Sequence, residues 1–223
     1  MSSLINDIHA EDVANYLNRN REFFHVFPNL LNELSIPHPK SGHEVSLLER
    51  QVFQLREQRD SLQVEVDTLK DIAGENGALL HKVYDLSYAL LAAESEQDAV
   101  NVVYDVMHEV FTVEEVTIIS WDVPKTSVHG VNQLGISQAW SKSLKETLQP
   151  GKPVCGLLED SWQKGLFHTD KAMQSVCVIP LGQQRVWGAL ALGATTDRFS
   201  PELGTYFLKV MGQMITARLQ RLF

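Results

Sequence analysis

Cysteine is nearly absent. Cys155 and Cys177 are the only two in 223 residues, which excludes a disulfide framework and a zinc site of the clustered-cysteine kind. Long apolar runs are missing as well: no stretch approaches the ~18 residues that a membrane-spanning helix needs. The opening MSSLINDIHAEDV has neither the basic nor the apolar region of a secretory leader, so a cytoplasmic location is expected. Basic residues are in deficit, 19 Lys and Arg against 28 Asp and Glu, for a formal net charge of −9. That balance argues against sequence-independent binding to nucleic acid or to an anionic membrane, since both need clustered positive charge. P-loop, dinucleotide glycine and Ser/His/Asp patterns are all lacking, and neither a metal site nor a cofactor is expected.

What the chain does have is a heptad repeat, from Val45 to Ala93. Leucine recurs at Leu48, Leu55, Leu62 and Leu69, with Val52, Arg59, Val66 and Ala73 between them, a 4-3-4-3 spacing. A period of 3.5 marks helices that wind around one another. With Val52, Arg59, Val66 and Ala73 at a and the leucines at d, the pattern favours two parallel strands, so a homodimer is expected. Arg59 is the polar exception, which restricts register and strand number because its charge must reach water between only two helices. Glu65 at g can meet Lys70 at e across the pair. Ser46-x-x-Glu49 reads as a capping box at the helix start. Gly74, Asn76 and Gly77 weaken the middle, yet the phase resumes at Leu80, Val83, Ser87 and Leu90. One nearly continuous helix of about 70 Å is expected. The alternative is a single amphipathic helix packed on its own chain; the strict seven-residue interval with polar flanks favours the dimer.

The N-terminal segment, residues 1–44, reads as two or three short helices. Val13, Tyr16 and Leu17 share one face of the first, behind Glu11 and Asp12 in its opening turn. Phe23, Phe24 and Phe27 lead to Pro28, which opens a second helix carrying Leu30, Leu31 and Leu34; Pro37 and Pro39 end it, and Lys40 to Gly42 form a linker. So small a piece cannot bury a core alone and needs a partner surface: the coil, a second copy or another protein.

The stretch VANYLNRNREFFHVFPNLLNELSIPHPKSGHEVSLLERQVFQLREQ resembles the opening signature of the bacterial family DUF484. It carries that family's V-x-x-Y-L, F-F, P-x-L-L-x-x-L-x-[IL]-P-H and V-S-L-x-E-R-Q elements in order. It departs from the family at Val26-Phe27-Pro28, where a second His-Pro pair is usual. The resemblance implies a C-terminal GAF-like domain and implies no activity.

Residues 94–223 read as α+β, an antiparallel sheet between helical layers. Ser95-x-x-Asp98 caps a helix with Ala99, Val103, Val106 and Val110 inward. Val116–Trp121 alternates as a strand, and Val123–Gln133 reads as a turn and weak strand. Ile136–Leu148 is helical in pattern, and the turn Pro150–Pro153 leads into Val154–Leu158. Glu159–Thr169 is a helix or ordered loop. Gln174–Leu181 and Arg185–Ala194 form an apolar hairpin. Ser200-Pro201 caps a last helix with Leu203, Phe207, Val210, Met214 and Ala217 inward. PGKPVCGLLED, SVCVIPLGQQRVWGALALGA and DRFSPELGTYFLKVMGQMITARL resemble GAF domains. That resemblance implies a small-molecule pocket between the sheet and the excursion Ile136–Thr169, where Trp121, Trp140, Trp162 and Phe167 would stack on a flat ligand or fill the space themselves. The cyclic-nucleotide and bilin signatures of GAF domains are absent, and His129 and His168 read as solvated or structural.

The expected function is therefore a non-catalytic dimeric regulatory module that binds a small molecule or a protein partner. Two alternatives stand beside it. One is a structural adaptor that has a filled pocket and recruits a protein through its N-terminal helices. The other is a thiol reductase that acts on a small sulfoxide through Cys155 and Cys177; against it, the apolar run around Cys177 suggests a buried, inert thiol.

Overall fold

The computed structural model describes residues 9–30, 35–37, 44–135, 138–167, 169, 171–200 and 204–223, with the backbone alone for 35–37 and 44–48. Two compact units divide the chain, Met1–Ile72 and Ala73–Phe223.

In the first unit, α1 (Ala10–Arg19) carries Glu11 and Asp12 in its opening turn, and the Asn20 side-chain amide donates to the Tyr16 carbonyl at 2.9 Å. In the next turn, α2 (Phe23–Val26), the Phe23 ring meets Tyr16, Phe24 and Phe27 at centroid distances of 5.2–6.0 Å. Neither helix contains a buried residue. The linker from Lys40 to Gly42, Pro39 and the side chains of Leu31 and Leu34 lie outside the described residues. Where the sequence reads as a helix ending at Pro37, Ser35–Pro37 (β1) pairs antiparallel with Glu44–Ser46 (β2), Ser35 opposite Ser46. Proline is tolerated at the end of a two-stranded ribbon, where its missing N–H can face outward.

The long helix, α3 (Leu47–Ala92), starts directly after Ser46 and runs for 46 residues without a break at Gly74 or Gly77. A Cβ at either glycine would meet nothing within 4 Å.

In the second unit, a five-stranded sheet has the order β4-β3-β7-β6-β5. Its strands are β3 (Glu115–Ser120), β4 (Val131–Gln133), β5 (Val154–Gly156), β6 (Ser175–Leu181) and β7 (Gly188–Ala194). The sequence leads one to expect a wholly antiparallel sheet, but β3 and β4 run parallel, Ile118 opposite Val131. The chain leaves β3 at Ser120 and doubles back before pairing. The returning loop is clamped by Tyr104, whose hydroxyl donates to the Gly130 carbonyl at 2.6 Å and accepts from the Ile118 N–H at 3.1 Å. Burial pushes that phenol above its ordinary pKa, so it stays a donor.

Helix α4 (Glu96–Asp105) opens with the complete capping box: the Ser95 hydroxyl accepts from the Asp98 N–H, and the Asp98 carboxylate accepts from the Ser95 N–H. It widens into a single turn of i→i+5 bonding over Val106–Val110. Thr112 follows at φ 52, and the Arg198 guanidinium donates to the carbonyls of Phe111 and Thr112. Two short helices, α5 (Ala139–Thr147) and α6 (Asp160–Leu166), form the excursion before β6.

The last helix, α7 (Tyr206–Leu219), turns a different face inward from the one its apolar spacing suggests. Leu208, Met211, Ile215 and Leu219 are buried, Phe207, Val210 and Met214 are half-buried, and Ala217 is exposed. Both stripes of this helix are apolar, so periodicity cannot choose between them. Gly212 chooses: a Cβ there would come 2.5 Å from Ile179 Cγ2, so the helix lies against β6 on that side. Pro201 and Leu203, the expected start, lie outside the described residues.

Side-chain alternation along the strands separates two cores. Val116, Ile118, Cys177, Ile179, Leu181, Leu190 and Leu192 face Val83, Leu86, Leu90, α4 and α7. Ile119, Trp121, Val176, Val178, Ala189 and Ala191 face α5 and α6.

Gly188→Ala is expected to destabilise the second unit by about 3 kcal/mol, because the new Cβ would lie 2.3 Å from the Ile119 carbonyl oxygen and no rotamer can relieve a backbone clash. Gly77→Ala, in open helix, is expected to stabilise by about 1 kcal/mol. Urea unfolding followed by circular dichroism checks both signs.

Candidate functional site

The candidate side chains lie mainly in the outer core of the C-terminal unit and along the exposed stripe of α3.

The four aromatic residues expected around a pocket do come together, in the core between the sheet and the excursion. Trp121 extends β3, and its backbone N–H donates to the Trp187 carbonyl at 2.8 Å. Its buried indole N–H donates to the Ser141 hydroxyl of α5 at 3.0 Å, and the Lys145 ammonium lies 5.6 Å from its ring centroid. Trp140 lies flat against α6 where Gly165 has no side chain; a Cβ there would stand 2.5 Å from the indole. Its own N–H bonds the Gln138 side chain. Phe167 is buried beside Met173 against Gly193, where an added Cβ would come 3.2 Å from the phenyl ring. Trp162 is half-buried on the same cluster. The rings thus pack on helix, strand and glycine surfaces of their own domain.

A cleft of about 500 Å³ opens at the rim of this core, between Asp160, Gln163 and Lys164 of α6 and the residues Thr169, Lys171, Ala172 and Met173. Of the four aromatic candidates, Phe167 alone lines it. His168 and Asp170 lie outside the described residues. Among the described residues no group of three or more His, Cys, Asp or Glu is placed to hold a metal ion. No helix among them is long and apolar enough to cross a membrane.

The cysteines lie on the opposite face of the sheet. Cys155 of β5 stands directly across from Cys177 of β6, and both pack on the core beneath α7. Cys177 is fully buried, while Cys155 is half-buried. The hydrogen bond between the two thiols holds Cys155 below its ordinary pKa, against the effect of its burial, and raises Cys177 well above it, with burial adding to the rise. A separate opening of about 440 Å³ is lined by Gly151, Pro153, Ile179, Lys209, Gly212 and Thr216 among others.

Along α3, Val52, Leu55, Leu62, Val66 and Leu69 are between 40% and 63% exposed, a contiguous apolar stripe. Arg59 lies in the same stripe, its guanidinium bonded to Asp60 at 2.6 Å. The Leu48 side chain lies outside the described residues. Lys70 reaches Asp67 of its own helix at 3.5 Å. Nearer the sheet the exposed face carries Leu80, Tyr84, Tyr88 and Leu91, whereas Val83 and Leu90, which continue the d positions, are buried in their own domain.

The sequence reading missed the polar residues that hold these parts: Ser141 beneath Trp121, Tyr104 on the β4 loop, and Arg218. The Arg218 guanidinium donates to the carbonyls of Ala93 and Ser95, at 3.2 and 2.9 Å, where the long helix ends. No local pattern marks such residues, because each bonds to chain far away in sequence. Ser141→Ala is expected to cost about 1–3 kcal/mol by orphaning a buried indole N–H. Trp121→Phe on top of it should cost less than the sum of the two single changes, which a double-mutant unfolding cycle reads out.

Three solved structures are similar to part of this chain. The first is the GAF domain of a phosphoenolpyruvate-protein phosphotransferase from Acinetobacter, with a TM-score of 0.48 and 13% identity over 63% of this chain and 92% of that one. The second is the GAF domain of a putative sensor histidine kinase from Pseudomonas syringae pv. tomato, at 0.45 and 15% over 68% and 92%. The third is the GAF domain of the potassium sensor histidine kinase KdpD from Escherichia coli, at 0.39 and 18% over 63% and 92%. No curated protein matches the chain. The family model that describes a protein of unknown function, DUF484, matches residues 4–223, and the chain belongs to that family.

Proposed function

We propose that the protein is a non-catalytic regulatory module of GAF type that works as a parallel homodimer through its long helix and addresses a protein partner. The exposed heptad stripe Val52, Leu55, Leu62, Val66 and Leu69 carries this reading. Each such side chain gains up to about 1.5–3 kcal/mol when fully buried, so five of them leave a large driving force toward a second copy. Val at a and Leu at d suit two parallel strands, and the charged a residue Arg59 suits a pair better than a trimer. The helix is continuous from Leu47 to Val83, Leu86 and Leu90 in the C-terminal core, so a shift in the coil has a covalent route to the sheet.

The packed cluster of Trp121, Trp140, Trp162 and Phe167 supports a protein rather than a small molecule as the thing recognised. Exposed Tyr16 and Phe27 on the N-terminal helices offer one surface for that partner. A second reading, a small molecule held by the C-terminal domain, draws on the cleft of about 500 Å³ beside Phe167. The sulfoxide reductase alternative has less support, because Cys177 is fully buried and faces away from that cleft.

Light scattering at micromolar concentration is expected to give twice the chain mass of 25.1 kDa. Leu55→Glu with Leu62→Glu is expected to give a monomer whose C-terminal domain keeps its unfolding midpoint. A monomeric wild-type protein would end the proposal. Arg59→Leu should raise the melting temperature of the coil and admit species with more than two strands, since the charge that limits strand number is gone.

A further inference from the structure

Cys155 and Cys177 are the only cysteines in the chain, and the fold brings them face to face across two antiparallel strands. Directly opposed Cα atoms in such a ladder are about 4.5 or 5.5 Å apart, inside the ~4.4–6.8 Å that a disulfide spans. Both side chains point to the same face, the one under α7. Their exposure differs: Cys155 on the edge strand is half-buried, and Cys177 on the neighbouring strand is sealed. The next residues on the same face of each strand, Pro153 and Ile179, line the open cavity of about 440 Å³, which therefore begins about 7 Å away, one pleat along. Each thiol is thus provided with what an oxidation sequence needs: one reachable sulfur and one protected sulfur in contact with it.

We propose that Cys155 and Cys177 form a reversible dithiol–disulfide pair oxidised by small hydroperoxides, with Cys155 the attacked residue and Cys177 the resolving one. In the first step the Cys155 thiolate attacks the terminal oxygen of the hydroperoxide. An S–O bond forms, the O–O bond breaks, and the leaving alkoxide takes a proton to depart as the alcohol, or as water when the oxidant is hydrogen peroxide. Cys155 is then a sulfenic acid, oxidised by the two electrons that the peroxide gained. In the second step the Cys177 sulfur attacks the Cys155 sulfur. The S–S bond forms, the S–O bond breaks, and hydroxide leaves with the Cys177 proton as water. Two thiols and one hydroperoxide become one disulfide, one alcohol and one water; a small dithiol such as dithiothreitol reverses the change by exchange. The thiol–thiol hydrogen bond favours the first step, because it stabilises the thiolate form of Cys155 while Cys177 keeps its proton. The product ties the edge strand β5 to β6 beside the cavity that α7 borders.

Reduced full-length protein, treated with hydrogen peroxide and then denatured, tests this by thiol counting and by peptide mapping without reductant. The expected result is a fall from two free thiols to none, a mass lower by two hydrogens, and a single cross-linked peptide joining Cys155 to Cys177, all restored by dithiothreitol. In Cys177→Ser, Cys155 is expected to stop at the sulfenic acid and to be trapped by dimedone. In Cys155→Ser, Cys177 should stay a free thiol. Wild-type protein that retains both thiols, that accumulates dimedone-reactive Cys155 beside a free Cys177, or that forms only bonds between chains would overturn the proposal. Those outcomes are read on the cysteines alone, whatever the oligomeric state.

Discussion

Burial of one face of the long helix at its C-terminal end is the contact on which the architecture depends. Val83, Leu86 and Leu90 pack into the same core as α4, α7 and the inner face of the sheet. Each is worth roughly 1.5–3 kcal/mol when fully removed from water. This contact makes the last turns of α3 part of a folded domain. The guanidinium of Arg218 then closes the helix by bonding the Ala93 and Ser95 carbonyls, and the Ser95–Asp98 box starts the next one without delay. Upstream, the same helix carries Val52, Leu55, Leu62, Val66 and Leu69 with 40–63% of their surface open. One element therefore has two kinds of apolar face, one buried within the chain and one left exposed.

The sheet converts alternation into a division of labour. Because successive side chains point to opposite faces, β6 sends Cys177 and Ile179 toward α7 and Val176 and Val178 toward the excursion. The aromatic cluster and the thiol pair are consequently separated by the thickness of the sheet, although Val176 and Cys177 are neighbours in the chain. Glycines complete the arrangement by allowing close approach: Gly165 admits Trp140, Gly193 admits Phe167 and Met173, and Gly212 brings α7 onto Ile179. A domain built this way has its outer core filled by indole and phenyl rings.

Much of the fold was legible in the residues because it follows from local periodicity. The heptads from Val52 to Leu69, the Ser95–Asp98 box and the β-branched run at Val116–Ser120 each specify an element through contacts within a few residues. The same is true of the hairpin around Gly182–Gln184. The clustering of the tryptophans could be expected only through resemblance to a fold, and the part played by Ser141 could not be expected at all. The pairing of Ser35–Pro37 with Glu44–Ser46 escaped notice because three residues carry no period.

By itself, the sequence determined that a long heptad-bearing helix leads into an α+β domain. Tertiary structure alone decided which stripe of α7 faces inward, that β4 runs parallel to β3, and that Cys155 meets Cys177. The physical reason is range. Helix and strand patterns are written in spacings of two to four residues. Strand register and helix packing instead depend on where distant backbone can approach, and that is settled by a missing Cβ at Gly212 or a hydroxyl such as that of Tyr104, whose importance appears only once the chain has folded.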